Sequence, residues 1–389
     1  MRRLLAFLLV FCCLCLSGCA EETGAAEVRL AALNVGKGDC LLLLLGEDAY
    51  LIDSGYDYTS NLLMEALRQY GVSRLRGVFL SHCDKDHSGG LMPLALSDVA
   101  VDAWYAASIY YDVPEGQHPA VLAAAARNAE VTWLSAGDTL TLGDGASLRV
   151  LGPLTVNVDN ENNNSLVFLV ETRQGDLLFT GDMKLEEEAA LLEAGAIPPA
   201  DLLKVPFHGD NTASSLSFVD AVHPAAALIC TSTAQEPDTP ASSILKRYSK
   251  AGADVYVTQD YAWGIEMSLS AGRVKAEALH WDLPDWSKAV TAEIDLAEDL
   301  LILRSASDAD ISLEGWIVHS TKGSECVVLP EGAVLPAGGT YTLGSRATKA
   351  DCDLRADTKR MWHKSKLDAA WIYDSHGGLA AVTDNGNPE

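Results

Sequence analysis

Between residues 81 and 90 the chain reads Ser-His-Cys-Asp-Lys-Asp-His-Ser-Gly-Gly, so four groups able to ligate a metal ion, His82, Asp84, Asp86 and His87, fall within six positions. Imidazole and carboxylate donors in one short loop suit a divalent cation. They follow the apolar run Val78-Phe79-Leu80, which predicts a buried strand, and a strand end holds such ligands rigidly. A further carboxylate, Asp182, closes Thr180-Gly181-Asp182 directly after an apolar run over 176–179. The glycine allows close backbone approach, and a carboxylate placed there suits a ligand shared by two ions.

The elements that must position these groups are legible from periodicity. Strands are expected over 28–34 and 41–45, joined by the turn Gly36-Lys37-Gly38-Asp39, and a third leads into Asp53. Thr59 or Ser60 caps a helix to Tyr70, with Leu63 and Leu67 inward and Gly71 as terminator. A helix over 119–130 and short strands over 131–151 come next, then the polar run 160–165 before a strand over 166–170. A helix over 185–194 and an alternation of helix and strand from 217 to 257 complete a second half that repeats the first. His118 reads as a surface-loop histidine, His223 as structural and Cys83 as a packing residue, since neighbours on an extended loop point apart.

The 389 residues suffice for two cores, and the net charge of −26 is uneven: residues 20–280 carry 36 acidic against 16 basic side chains. Such a surface repels polyanions, so a nucleic-acid substrate would need bound metal or a local basic patch. One such patch exists, seven basic and three acidic residues over 346–366 with Trp362 among them. The N-terminus has the basic start and short apolar core of a secretory signal. Of the five cysteines after residue 19, Cys326 and Cys352 lie in the same C-terminal region and are the expected pair, which leaves at least one of the others unpaired. No later stretch approaches 18 consecutive apolar residues, so no membrane channel is expected in this chain.

The spacing His-x-Asp-x-Asp-His resembles the signature of the metallo-β-lactamase fold, in the form found in the hydrolase domain of ComEC/Rec2 competence proteins; the commoner form has a second His where Asp84 stands. Asn34-Val35-Gly36-Lys37-Gly38-Asp39 is similar to that group's glycine turn, with Lys37 in place of Gln. Thr180-Gly181-Asp182 matches its Thr-Gly-Asp, and Lys204-Val205-Pro206-Phe207-His208-Gly209 resembles its Lys-Val-Pro-His-His-Gly with Phe207 replacing the first His. Residues 160–165 are similar to its Asn-rich run, where the commoner pattern has a His. Leu16-Ser17-Gly18-Cys19 resembles a bacterial lipobox, and the last quarter of the chain resembles a lamin-tail domain.

The resemblance implies an α+β architecture: an αββα metallo-β-lactamase sandwich over 27–280, a linker over 281–295 and a small all-β immunoglobulin-like sandwich over 296–389. A lipoprotein signal over 1–18 and a tether over 19–26 would precede them, with a lipid on Cys19 and an extracytoplasmic, membrane-anchored location. It further implies metal ligation by His82, Asp84, Asp86, His87, Asp182 and His208, with Asp86 and Asp182 catalytic and with Asp39, Asp53 and Asn164 in support. Three imidazoles and three carboxylates would hold two divalent ions, Zn²⁺ or Mn²⁺, sharing a hydroxide. The expected substrate is a phosphodiester, small or polymeric, nucleic acid included. A lactone or ester hydrolase and a non-catalytic surface-binding protein with a degenerate metal site are the alternatives.

Overall fold

A computed structural model describes residues 27–111 and 113–388. The signal, the lipobox and Cys19 lie outside the described residues. Two mixed sheets face each other. The first runs, in spatial order, Arg273–Ala278, Gly264–Ser270, Val28–Leu33, Leu41–Leu45, Asp48–Ile52, Gly77–Leu80, Trp104–Ala107, Val131–Leu134. The second runs Asp254–Val257, Ala226–Ile229, Leu202–Lys204, Asp176–Phe179, Val167–Glu171, Ser147–Gly152, Thr139–Thr141. Each passes from antiparallel hairpins to a parallel half, which is the internal repetition expected from the sequence.

Strand alternation explains why the central strands are apolar without interruption. Leu41, Leu43 and Leu45 point into the core between the sheets, whereas Leu42 and Leu44 point outward onto a second core with Leu62, Leu63 and Leu67 of the helix Ser60–Gln69. In the second sheet Leu202 and Leu228 face inward and Leu203 and Ile229 outward, against Phe218 and Tyr248 of the outer helices. Burying both faces of a five-leucine strand contributes roughly 1.5–3 kcal/mol per side chain, and this fixes the layer order helix, sheet, sheet, helix.

Several expectations are corrected. The helix expected over 119–130 ends at Ala126, where Asn128 takes a left-handed φ of 55°. Thr59 gives no side-chain cap; its hydroxyl donates to Tyr56 O instead, while Gly71 at φ 66° does terminate the helix. The strands Gly264–Ser270 and Arg273–Ala278 were not foreseen, and they return to the first sheet by pairing with Val28–Leu33.

Beyond them come two four-stranded sheets. Val290–Asp295, inside the expected linker, pairs with Leu300–Ser305, which continues through Thr340–Gly344 to Leu354–Arg355. Cys326–Val328, Ile317–Ser320, Ala369–Tyr373 and Leu379–Asp384 form the second sheet. They enclose one core around Trp316, Trp362, Leu303 and Ile372. Trp362 is therefore a core residue and not part of a basic surface. Arg346 and Arg360 of that segment pair with Asp357 and Asp299, and Arg355 binds backbone carbonyls, which leaves Lys349, Lys359, Lys364 and Lys366 exposed. Cys326 and Cys352 are both free, the first on one sheet and the second beside a strand of the other, so the expected disulfide is absent. This unit packs against the first: Asn61 donates to Gly315 O and Asp374 O, and Tyr58 stacks on His319 at 3.9 Å. No helix among the described residues is long and apolar enough to cross a membrane.

Candidate metal centre

The site lies where the parallel strands of both sheets end. Asp53 follows Asp48–Ile52, the loop 81–87 follows Gly77–Leu80, Asp182 follows Asp176–Phe179, His208 follows Leu202–Lys204 and Cys230 follows Ala226–Ile229. Carboxyl ends of neighbouring parallel strands converge there because their chains must leave the sheet on the same edge.

Three imidazoles share one hydrogen-bonding logic. His208 Nδ1 lies 2.7 Å from Cys230 O, an acceptor only, so Nδ1 carries the proton. His87 Nδ1 lies 2.7 Å from Asp53 Oδ2 and donates to it. Ser81 Oγ donates to Asp53 Oδ2 at 2.7 Å, so His82 Nδ1, 3.0 Å away, must donate to that hydroxyl. Each ring therefore turns its Nε2 toward Asp182, at 3.0 Å from Oδ2 for His208, 3.3 Å from Oδ1 for His87 and 3.9 Å from Oδ2 for His82, and a proton or a metal ion can occupy that position. A second carboxylate, Asp86, stands 3.4 Å from His208 Nε2. Asp86, His87, Asp182 and His208 place one ligand atom each within 4.8 Å of one another, and all four are buried. Asp84 sits at the open side, 3.5 Å from His82 Nε2.

Burial by itself would lower the imidazolium of His208 and raise the carboxylic acid of Asp182. Their mutual attraction wins: His208 is held up at about 9 and Asp182 well below its usual range. His87 is likewise raised, against burial, by Asp182, Asp53 and Asp39. Protons on these rings balance the carboxylates, and a divalent cation would balance them equally while releasing the protons. Two buried atoms of the group, His82 Nε2 and Asp182 Oδ1, have no hydrogen-bond partner. Such orphaned acceptors facing one space fit a metal ion.

Local backbone conformation aims the ligands. Gly181 has φ 49°, and a Cβ on it would meet the Ser81 Cβ at 2.8 Å. Asp182 N donates to Ser165 Oγ, which joins the Asn-rich loop to the carboxylate. Phe207 and His208 both adopt left-handed conformations, φ 47° and 52°, at a cost of about 1–3 kcal/mol each. That turn directs the His208 ring inward and leaves the Phe207 ring half-buried under Lys184, 4.4 Å away.

Asp39, Asp53 and His87 form a second close acidic group, but its charges are already met. Lys204, fully buried, reaches Asp39 Oδ2 at 2.6 Å, and Ser81 N and Oγ donate to Asp53. Asp39 N in turn donates to Asp86 O, tying the glycine turn to the loop. Of the residues expected near the site, Asn164 is used within its own loop, donating to Asn157 O and Glu161 Oε2. His118 is not on the surface: it is buried between Tyr110 and Trp133, and burial lowers it to about 4. Lys204 as the counter-ion of Asp39 is the feature sequence reasoning missed. Its signs were its place at the head of the Lys204-Val205-Pro206 match and a lone cation ending an apolar strand.

A family model described as "Metallo-beta-lactamase superfamily" matches residues 33–233, more than half of the chain. The chain belongs to the metallo-β-lactamase superfamily. Within that superfamily, Competence protein ComA of Neisseria gonorrhoeae is 27% identical over 270 residues, covering 69% of this chain and 36% of the relative. ComE operon protein 3 of Bacillus subtilis is 25% identical over 223 residues, 53% of this chain and 28% of the relative. The chain thus spans about a third of the length of these curated relatives. Among solved structures, the metallo-β-lactamase fold protein YhfI of Bacillus subtilis aligns over 65% of this chain and 100% of its own at 13% identity, with a TM-score of 0.40.

Proposed function

We propose that the protein is a metal-dependent phosphodiesterase, exported and held at the membrane by a lipid on Cys19. The observation that carries the metal reading is the common arrangement of His82, His87 and His208: each fixes its Nδ1 proton on an oxygen outside the site and offers Nε2 to Asp182. Such outer partners set tautomer and ring orientation in metal-binding histidines. His82, Asp84 and Asp182 would hold one ion and Asp86, His87, His208 and Asp182 a second. Two carboxylates beside one imidazole in the first set and beside two in the second make a hard site, open to Mn²⁺ as well as Zn²⁺ and suited to phosphate oxygens. When bound, divalent ions supply Lewis acidity toward a phosphoryl oxygen and acidify a water molecule.

The chain's own residues supply position and charge. Asp182 stands between the two ligand groups, and Asp53 with Ser81 keeps His82 and His87 from rotating. Lys37, 3.5 Å from Asp86 and kept charged against burial by Asp86, Asp182 and Glu236, offers a cation at the mouth for an anionic group. The competence-protein relatives support a phosphodiester over an acyl substrate. The acidic surface favours a short one over a long strand.

Elemental analysis of the purified, processed protein is expected to find one to two equivalents of transition metal, with hydrolysis of a bis-aryl phosphate that a chelator removes. Less than about a tenth of an equivalent after refolding with Zn²⁺ or Mn²⁺ would favour a non-catalytic binding protein, for which Phe207 in place of a histidine is the supporting feature. For the anchor, Cys19→Ser is expected to move the protein out of the membrane fraction or leave it unprocessed. Unchanged membrane association of that variant would refute the lipid.

A further inference from the structure

Beside the metal loop, the two halves of the molecule enclose a cavity of about 410 Å³. Tyr56, Lys85 and Gln235 line it from the hydrolytic half, and His319, Thr321 and Trp371 from the C-terminal sandwich. Its volume is that of a small-molecule site.

Three observations join it to the site. Lys85 stands between Asp84 and Asp86 in sequence, and its exposed ammonium enters no ion pair among the described residues. The backbone of Tyr56 lies against Gly89 at the end of the metal loop, where an added Cβ would come within 2.7 Å of the Tyr56 carbonyl carbon. Gln235 accepts from Lys37 N of the glycine turn and donates to Tyr58 Oη at 3.0 Å, so the cavity wall and the mouth of the site are one structure. Tyr58 is stacked on by Tyr56 at 4.7 Å, His319 at 3.9 Å and Tyr373 at 5.8 Å. It serves as a spacer, and the ring surface left for a ligand belongs to the half-buried Tyr56 and Trp371.

We infer that this cleft holds the non-reacting end of the substrate, a planar ring such as a nucleobase carried on a phosphoester, stacked against Tyr56 and Trp371 with its phosphate toward Lys85 and the metal centre. The inference rests on the phosphodiesterase reading and adds that the C-terminal sandwich completes the substrate site. Rings stack on aromatic side chains without regard to sequence. The exposed carboxylate of Asp57 lines the cavity, and those of Asp84 and Glu236 adjoin its lining residues Lys85 and Gln235 in sequence; they disfavour a long polyanion and leave a short ligand as the one that fits.

The test is a binding measurement that needs no turnover. Titration calorimetry on the whole metal-replete protein compares adenosine 5′-monophosphate with ribose 5-phosphate, which share the phosphate and sugar and differ by the ring. The parent is expected to bind the first at least about tenfold more tightly. Trp371→Ala should bring the ratio close to one, and Trp371→Phe should retain most of it. Tyr56→Ala, in a loop and outside any sheet, reads the same ratio should Trp371→Ala fail to fold. Equal binding of the two probes by the parent, or an unchanged ratio in both alanine variants, would overturn the cleft. A protein that discriminates the probes yet hydrolyses no phosphodiester would keep the cleft and lose the hydrolase.

Discussion

Asp182→Asn is expected to abolish hydrolysis of a bis-aryl phosphate while leaving the fold intact. The side chain faces three imidazole Nε2 atoms between 3.0 and 3.9 Å, and among the described residues no other carboxylate is placed to serve both ligand groups. An asparagine keeps the shape and the Asp182 N to Ser165 Oγ bond, but its amide ligates weakly and cannot balance the charge of two cations. Loss of a partner that only orients a ligand costs about 10–100-fold in metal affinity or activity, so loss of the shared ligand should exceed about 100-fold. Metal content by elemental analysis should fall with activity, and the circular dichroism spectrum should not change. If the variant kept parental metal and parental rate, the two-ion assignment would have to be given up. Asp84→His, at the open side, is expected in contrast to retain activity and shift metal preference toward Zn²⁺.

What could be read in advance follows from how the site is built. His82, Asp84, Asp86 and His87 share one loop, so their spacing alone announced a ligand cluster. Asp182 could be singled out because it follows an apolar strand and because Thr180-Gly181-Asp182 matches the resembled group's Thr-Gly-Asp residue for residue. His208 was legible only through resemblance, since its inward aim depends on two left-handed residues that nothing in Phe207-His208 advertises. The layer order followed from uninterrupted apolar strands. The return of Gly264–Ser270 to the first sheet did not, because that pairing is decided by the Val28–Leu33 edge some 230 positions earlier. His118, Trp362 and the cysteines went astray for a common reason: neighbours in sequence gave no sign of the aromatic box, the second core and the opposite sheets that receive them.

Lys204 shows the same limit and carries the largest stability prediction. The sequence marks Lys204 only as part of a motif match, and its side chain is 1% exposed and runs to Asp39. Burial opposes its charge, and Asp39, Cys230 and Asp182 together outweigh burial. The ammonium also donates to Val205 O, and Thr180 Oγ1 binds Lys204 O, so the pair ties the glycine turn to both strands that bring Asp182 and His208. Lys204→Met keeps the volume and removes the cation, which leaves the buried Asp39 carboxylate with only the His208 and His87 rings, 3.7 and 3.8 Å away, at a cost of up to about 3–5 kcal/mol. Urea unfolding should show this as a lower midpoint with an unchanged slope. The double variant Lys204→Met with Asp39→Asn removes both charges and should recover much of the loss, because a missing pair is far less costly than a widowed charge. A double variant no more stable than Lys204→Met would mean that the lysine acts through its backbone-carbonyl contacts and not through Asp39. A parental midpoint for Lys204→Met would show that the buried pair adds nothing to the fold.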